Sequence, residues 1–452
     1  MGSGSIAEVD AVVVGAGLSG LTAARELRRR GASVRVLEAR ERVGGKMYTA
    51  SIEGCPVDLG AHWIGPTQRR LAALASELGV ATEPQYLEGE HLLTLGGRRS
   101  TFTGSAPLIS PLGMAETALA VARVEVRRRL IDLDAPWRSR GASALDSRTL
   151  AAWTRGLRSQ TARATFQIVT RTVFGAEPSE LSLLHFLWYT HAAGGYRALT
   201  EFEGGAQDSR FAGGSQQLCE RLAVELGDAV TLGSPVDSIA QRGDVAVVRT
   251  PQQQVTGRRV IAAIAPPLAA RIDFDPPQPA EREALTQRVA MGAYMKAVAV
   301  YNDAWWRRRG LSGLAFADRG PVQMVVDDSP PGGRPGVLVG FVTGAPAREW
   351  GALAGGARRQ AVLDALGRTV APEAARPSAY RDLNWLEERW SRGAPVGLMG
   401  PGTLTGAGRA LRTPTGRVHW AATETATEWP GYMDGAIQAG ERAAEEVARA
   451  IR

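Results

Sequence analysis

A glycine-rich turn between a strand and a helix constrains this chain more than any other feature of its sequence. Residues 10–14 form a short apolar run of the kind found in buried parallel strands. The segment Gly15-Ala16-Gly17-Leu18-Ser19-Gly20 follows, and residues 18–30 carry apolar side chains at helical spacing. Residues 33–38 predict a second strand. Together these segments predict the βαβ start of a dinucleotide-binding domain.

Each glycine of this G-x-G-x-x-G turn has a separate physical task. Gly15 permits the tight turn, Gly17 lets the backbone approach a pyrophosphate, and Gly20 lets helix and strand pack closely. The helix N-terminus adds free N–H groups and a partial positive charge. Glu38 ends the second strand, where a carboxylate can accept hydrogen bonds from the adenosine ribose. The motif predicts a bound dinucleotide but does not distinguish NAD from FAD.

Composition excludes several classes of protein. The 452 residues are 44% hydrophobic, which is ordinary for a globular protein of two or three domains. No apolar run is long enough to predict a membrane span, and Met1–Ser5 does not resemble a signal peptide. Two cysteines, Cys55 and Cys219, are too few for a disulfide framework and fit a reducing, cytoplasmic compartment. The five histidines lack the spacing of a metal site, so none is predicted.

The basic residues carry one informative bias. A net charge of +7 predicts an arginine-rich solvated surface, and no stripe of interleaved arginines and aromatic residues indicates a nucleic-acid interface. Of the 53 lysines and arginines, only Lys46 and Lys296 are lysines. A lysine that persists against this bias indicates a site that needs a compact, titratable amine, with chance as the alternative at each position.

Beyond the first motif, spaced segments resemble the FAD-containing amine oxidases, and most closely their monoamine oxidase branch. The segment 38–46, EARERVGGK, resembles the stretch whose glycine pair lies along the FAD pyrophosphate. Further segments resemble the family in the right order; they are 57–63, 211–215, 235–236, 291–296, 384–385, 420–426 and 431–436.

The resemblance implies an α/β fold. A Rossmann-type FAD-binding domain would be assembled from three segments, 7–85, 210–285 and 385–452. An α+β substrate domain, formed by residues 86–209 and 286–384, would be inserted in it. Helix-like residues 115–130 are amphipathic, and packing on the core is favoured over contact with a membrane.

The resemblance also implies a non-covalent FAD site. The monoamine oxidases attach FAD to a cysteine, and this chain has Ala394 at that position. Lys46 replaces the usual arginine, which leaves a point-charge contact. The predicted cofactor-binding residues are Gly15, Gly17, Gly20, Glu38, Ala39, Arg40, Gly44, Gly45, Lys46, Gly60, Ala61, His62, Trp63, Val236, Trp385, Thr423, Glu424, Thr425, Gly431, Tyr432 and Met433.

Lys296 and Tyr432 are the catalytic residues that the resemblance implies. Lys296 resembles the lysine that reaches the flavin N5 through a water, and burial would lower its pKa; a surface lysine is the alternative. Tyr432 matches one of two tyrosines beside the flavin, and Pro395 stands at the position of the other. The aromatic pair is therefore halved unless Trp63 or another ring completes it. The substrate-side residues implied, any of which could be plain core, are Trp63, Val173, Thr200, Gln207, Phe316, Met324 and Tyr432.

The activity implied is the oxidation of a neutral amine to an imine, with O2 reduced to hydrogen peroxide. The partners expected are a small amine and O2, without nucleic acid or membrane, and a homodimer is left open. Met324 in place of a carboxylate disfavours diamines, and the lack of a wall arginine disfavours amino acids. One alternative is a related desaturase, dehydrogenase or L-amino-acid oxidase acting on a biosynthetic intermediate. Another is a non-enzymatic flavin-bearing binding protein, although no inserted helical arm supports it.

Overall fold

The structure, a computed structural model, describes residues 7–104 and 111–452, so the expectation about Met1–Ser5 lies outside it. The strands in these residues are β1 (Ala7–Val14), β2 (Val34–Leu37), β3 (Thr49–Ile52), β4 (Cys55–Asp58), β5 (Trp63–Ile64), β6 (Thr82–Pro84), β7 (Glu90–Leu95), β8 (Arg98–Phe102), β9 (Ser209–Phe211), β10 (Val230–Thr231), β11 (Ser238–Arg242), β12 (Val245–Arg249), β13 (Gln254–Ala262), β14 (Asp273–Asp275), β15 (Val289–Met291), β16 (Tyr294–Tyr301), β17 (Leu311–Ala317), β18 (Met324–Asp327), β19 (Gly336–Thr343), β20 (Ala379–Asn384), β21 (Gly397–Met399) and β22 (Val418–Trp420). The α-helices are α1 (Leu18–Arg29), α2 (Arg69–Glu77), α3 (Pro111–Arg128), α4 (Ala142–Asp146), α5 (Leu150–Thr154), α6 (Gln160–Phe174), α7 (Leu183–Ala192), α8 (Tyr196–Thr200), α9 (Gln217–Leu226), α10 (Pro266–Ala269), α11 (Ala280–Arg288), α12 (Ala345–Gly351), α13 (Gly355–Thr369), α14 (Thr403–Ala407) and α15 (Met433–Ala450).

The first large sheet contains the predicted βαβ unit. Its strand order is β10-β2-β1-β13-β12-β11-β14, and β22 also pairs with β13. Strand β1 is parallel to both β2 and β13, with α1 connecting β1 to β2. Helices α1 and α15 pack together on this sheet over one apolar core. The expected α/β fold is confirmed, and strands from three separated parts of the chain build this sheet.

The second large sheet has the order β20-β16-β19-β18-β17-β7-β8. Strand β16, which is second in this order, is antiparallel to its neighbours β19 and β20, while β17 and β7 are parallel. A separate helical core includes α6 and α7 and buries Phe166, Phe174, Phe186 and Trp188. Strand β16 is buried over nearly its whole length, because it lies between two neighbouring strands with both faces covered.

Two local expectations differ from the structure. The apolar pattern of the sequence predicts a strand at Val236, but this residue lies in the loop between β10 and β11. Apolar residues at helical spacing predict a helix over 213–226, but the helix begins at Gln217, because Gly213 and Gly214 have φ values of +81° and +95° that are incompatible with a right-handed helix. Both places form a loop or turn next to a regular element. The spacing of apolar residues alone does not distinguish such a turn from the strand or helix beside it.

Helix α3 has faces of different character. Gly113, Ala120 and Val124 are buried, whereas Leu112 and Val126 are exposed, so core packing accounts for only part of its apolar surface. Among the described residues, no helix is both long enough and apolar enough to cross a membrane.

Candidate active site

A cavity of about 950 Å³ takes its walls from both large sheets. From the first sheet it receives the loop after β1 and the end of β2, and from the second it receives side chains of β16, β17, β18 and β19. This volume lies at the upper end of the range for small-molecule and cofactor sites. The cavity is therefore large enough for an extended cofactor together with a small substrate.

The loop after β1 presents open backbone to this cavity. Gly17 is the N-cap of α1, and a Cβ atom built on it would meet no other atom within 4 Å. Gly44 and Gly45 approach the same loop: Gly17 forms a bridge with Gly44, and a Cβ on Gly45 would lie 3.3 Å from the Gly17 Cα. The two glycine segments thus form a cradle at a helix N-terminus that fits the pyrophosphate of a dinucleotide.

Glu38 joins the loops that surround this cradle. Its Oε2 accepts a hydrogen bond of 2.7 Å from the Ala16 backbone N–H, and its Oε1 accepts one of 3.0 Å from the Arg40 N–H. The carboxylate is buried and lines the cavity at the end of β2. This is where an acidic group meets a ribose in dinucleotide-binding folds.

Nearly all of the site residues predicted from the sequence line this cavity, and two do not. A Cβ atom on Gly20 would lie 2.0 Å from the Gly15 carbonyl oxygen, so Gly20 allows helix and strand to pack closely. Thr425 donates to the Ala422 carbonyl at 2.7 Å and accepts from Arg442 at 3.0 Å. Thr425 supports the turn beneath the cavity wall and does not reach the cavity.

Lys296 lies on β16 with its side chain in the cavity wall. It is 2% exposed, which excludes a surface lysine. Its Nζ donates to the backbone carbonyls of Asp58 and Gly60 at 2.8 and 3.0 Å. Burial lowers the Lys296 pKa to about 8, although the nearby carboxylates of Asp58 and Asp328 favour its charged form. Lys296 can therefore change its protonation state near neutral pH.

The other lysine, Lys46, lies in the wall of the same cavity. Its Nζ donates to the Pro395 carbonyl at 2.6 Å. Burial lowers its pKa, and the Glu424 carboxylate opposes that shift. Glu424 itself accepts from the Gly397 N–H at 2.9 Å. The bond to Pro395 ties the second glycine segment to the segment that contains Ala394.

The aromatic neighbours of Tyr432 include another ring in place of Trp63. Its ring centroid lies 6.2 Å from Tyr189 and 4.9 Å from Trp429. Trp63 instead stacks on Phe341 at 5.4 Å, and no ring contact joins Trp63 to Tyr432 among the described residues. Pro395 lines the cavity and supplies no aromatic face. Tyr189, on helix α7, is therefore the second cavity-lining ring at Tyr432.

Sequence reasoning missed seven aromatic residues of the cavity wall, which are Phe102, Tyr189, Tyr196, Phe202, Tyr294, Phe341 and Trp390. Tyr294 precedes Lys296 by two positions on β16, so the two-residue period of a strand could have placed both on one face. Phe341 is the cross-strand partner of Lys296 on β19, and its ring lies 5.2 Å from the Nζ. No local pattern could have indicated that pairing.

The part of the wall that holds the residues predicted to face a substrate is mainly apolar. Val173, Phe316 and Met324 line the cavity there. The Thr200 hydroxyl and the Gln207 amide nitrogen donate to backbone carbonyls at 2.9 and 3.2 Å, whereas the buried Gln207 Oε1 has no hydrogen-bond partner among the described residues. The charged residues in this part of the wall are Arg197 and Glu201, which form an ion pair of 2.6 Å with each other. The arrangement favours an uncharged, apolar ligand.

Comparison with known proteins agrees with this geometry. A sequence model of the family described as flavin containing amine oxidoreductase matches residues 18–448. The chain is 40% identical to the putative flavin-containing monoamine oxidase AofH of Mycobacterium tuberculosis, over 97% of this chain and 96% of that protein. It is 37% identical to an L-amino acid dehydrogenase of Synechocystis, over 97% and 94%. The structure of wild-type putrescine oxidase bound to putrescine superposes with a TM-score of 0.94 at 31% identity, covering 98% of this chain and 100% of that one.

Proposed function

The chain belongs to the flavin-containing amine oxidoreductases, which oxidise amines with FAD, and from that premise we propose that its own substrate is an apolar monoamine bound in the neutral form. The observation that carries the proposal is the mainly apolar wall on the substrate side. Met324 supplies no carboxylate for a second ammonium group. Arg197, the arginine of this wall, already has the Glu201 carboxylate as its ion-pair partner. We further propose that O2 accepts the electrons and is released as hydrogen peroxide.

We propose that the cradle of glycines holds the FAD. Gly15, Gly17, Gly44 and Gly45 would receive the pyrophosphate, because their backbone is open to the cavity at the N-terminus of α1. Glu38 would accept hydrogen bonds from the adenosine ribose. Trp63, Lys296 and Tyr432 would surround the reactive ring.

The two large sheets support a division into an FAD-binding domain and a substrate domain. Strands of the first sheet come from residues 7–37, 230–275 and 418–420. Strands of the second come from residues 90–102, 294–343 and 379–384. We infer the domain boundaries given by the sequence, with 7–85, 210–285 and 385–452 in the first domain and 86–209 and 286–384 in the second.

Bound FAD supplies the chemistry by accepting a hydride equivalent from the carbon next to the amine nitrogen. The protein residues bind and orient the amine. The apolar wall around Phe316 and Met324 favours the neutral form, since an ammonium ion would lose its hydration there. Tyr189 and Tyr432 restrict the approach of the amine, and Lys296 holds a proton close to the reacting atoms. Water that enters afterwards hydrolyses the imine.

A panel of purified substrates tests the proposed function. Apolar primary and secondary monoamines should bleach the flavin anaerobically and should yield peroxide in air. Diamines and L-amino acids of similar size should react at least ~10-fold more slowly in kcat/KM, or about 1.4 kcal/mol. Faster turnover of an L-amino acid would assign the chain to the activity named for its Synechocystis relative. Reduction without peroxide would indicate an acceptor other than O2.

We propose that the FAD is not covalently attached. Ala394 lines the cavity where the monoamine oxidases have the attachment cysteine, and Cys55 and Cys219 lie elsewhere, the latter fully buried. Acid precipitation of the yellow protein should therefore release all of the flavin into the supernatant. Flavin absorbance that stays with the washed pellet would contradict this. Both cysteines are free, which also supports the proposed reducing, cytoplasmic compartment.

A further inference from the structure

A second, smaller cavity shares one side chain with the large one. Its volume is about 90 Å³, enough for several water molecules. Its rim includes the exposed residues Pro56 and Gly213, and its wall includes the buried side chains of Asp58, His62 and Asp328. His62 also lines the large cavity, beside Lys296. One imidazole therefore lies between a surface cavity and the candidate active site.

The two ring nitrogens of His62 face different partners. Nδ1 lies 3.4 Å from the Lys296 Nζ and 4.0 Å from an Asp58 carboxylate oxygen. Nε2 lies 3.3 Å from the Asp328 Oδ1, a distance typical of an ion pair without the alignment of a hydrogen bond. A histidine can take up a proton on one nitrogen and release another from the other. This ring is placed to do so between Lys296 and Asp328.

The hydrogen bonds of Lys296 leave one position on its nitrogen where a proton can be exchanged. Two N–H groups are used on the carbonyls of Asp58 and Gly60. A neutral amine has only these two hydrogens, whereas an ammonium has a third. Among the described residues, the remaining polar neighbour of the Nζ is His62 Nδ1. Gain and loss of the third proton therefore occur next to the imidazole.

Charged groups of both signs lie near each ring nitrogen of His62. Arg210 donates to Asp328 at 2.8 Å and also pairs with Glu83 at 2.9 Å. Burial alone would raise the pKa of Asp328, but the charges of His62, Arg210 and Lys296 outweigh it and hold the pKa below its usual value.

On the other side, burial raises the pKa of Asp58 against the opposing effect of His62 and Lys296. The remaining ring neighbour is the uncharged Trp63, with its centroid 4.6 Å away. An ionised Asp328 can thus stabilise a transient positive charge on the imidazole.

We propose that His62 relays protons between Lys296 and the second cavity, so that the proton lost by a substrate ammonium leaves the active site by this route. Charged Lys296 passes its third proton to His62 Nδ1, and Nε2 releases a proton to water beside Asp328. The neutral lysine amine then turns its lone pair towards the substrate ammonium and accepts one proton from it, so that the substrate stays bound as the neutral amine. No electron moves in these steps, and the relay rests on the proposed function only in requiring an amine ligand.

Proton release can be measured without turnover. The ligand is an analogue of the best panel amine with two methyl groups on its α-carbon, which therefore has no hydrogen to give up. Mixed with the oxidised holoenzyme in weak buffer and an indicator dye, it should release a proton as it binds. His62→Gln should slow that release at least ~10-fold at pH 7, while flavin absorbance follows ligand binding separately, so that parent and variant are compared at equal occupancy.

The surface end of the route has its own matched pair of variants. Cys55 lies in the wall of the second cavity and outside the large one. Cys55→Trp should fill the second cavity and slow proton release as His62→Gln does, whereas Cys55→Ser should behave as the parent. Parental release rates in either His62→Gln or Cys55→Trp would overturn the proposal, as would equal slowing in Cys55→Ser.

A pH profile separates a relay from a merely structural role. Near pH 10 much of a simple amine is already neutral in solution and needs no relay. Reduction of His62→Gln by the best substrate should be at least ~10-fold slower than in the parent at pH 7. It should come within about two-fold of the parent at pH 10. A deficit that is equal at both pH values would show a structural role and would refute the relay, whereas failure of the proposed function would appear as no reduction by any amine.

Discussion

Replacing Gly17 by alanine should weaken FAD binding at least ~100-fold, or about 2.7 kcal/mol, while the protein still folds. The backbone of Gly17 has φ −74° and ψ 173°, which alanine adopts without strain. The added methyl group would meet no protein atom within 4 Å and would project into open space at the cradle. That space is where the pyrophosphate must approach the backbone. Titration of the apoprotein with FAD, followed by flavin fluorescence, measures the effect.

Gly20→Ala is the matched comparison within the same turn. Its methyl group would lie 2.0 Å from the Gly15 carbonyl oxygen, a backbone atom that cannot move independently. We expect the free energy of unfolding of the apoprotein to fall by about 3 kcal/mol or more, at the upper end for overpacking. In Gly17→Ala that quantity should change by less than about 1 kcal/mol. Equal FAD affinity in Gly17→Ala and the parent would remove the cradle from the proposed cofactor site.

Lys296→Met should slow flavin reoxidation by O2 at least ~10-fold, or about 1.4 kcal/mol of barrier, and should affect reduction by a neutral amine less. Reduction of O2 passes through anionic oxygen species, which a nearby ammonium stabilises. Methionine keeps an unbranched side chain of similar length, so the buried position between β19 and β20 remains filled. Stopped-flow measurement of each half-reaction, with the substrate offered at high pH, separates the two steps.

The charge on Lys296 also predicts the direction in which the rate of flavin reoxidation changes with pH. The Lys296 pKa is lowered to about 8, so the side chain is charged below that pH and neutral above it. The rate constant with O2 should therefore fall as the pH rises through about 8 in the parent and should be flat in Lys296→Met.

Lys46→Met is the matched control, because it removes the amine of the other lysine in the wall of the same cavity. It should lower FAD affinity and preserve the pH dependence of reoxidation. An unchanged rate constant with O2 in Lys296→Met would leave Lys296 to the proton relay or to packing.

The sequence by itself determined the start of the fold. Residues 7–38 specify strand, turn and helix through a local apolar pattern and three glycines. Each of these signals lies within the element that it specifies or directly beside it. The resemblance to the amine oxidase family also assigned Gly44, Trp63, Lys296 and Tyr432 to one site, and all four line the cavity. These positions can be identified from the sequence because few other residue types satisfy their backbone or chemical requirements.

Only the tertiary structure decided which side chains meet across that wall. Tyr189 reaches Tyr432 because helix α7 packs beside the turn before α15, and Phe341 reaches Lys296 through the register of β16 and β19. Asp328 lies beside His62 although the two are far apart in the chain. Strand register and helix docking depend on the packing of a whole core, which no local window of residues contains. The sequence therefore predicted the cofactor loop and the lysine, while the second ring at Tyr432 and the small cavity behind His62 arise from packing.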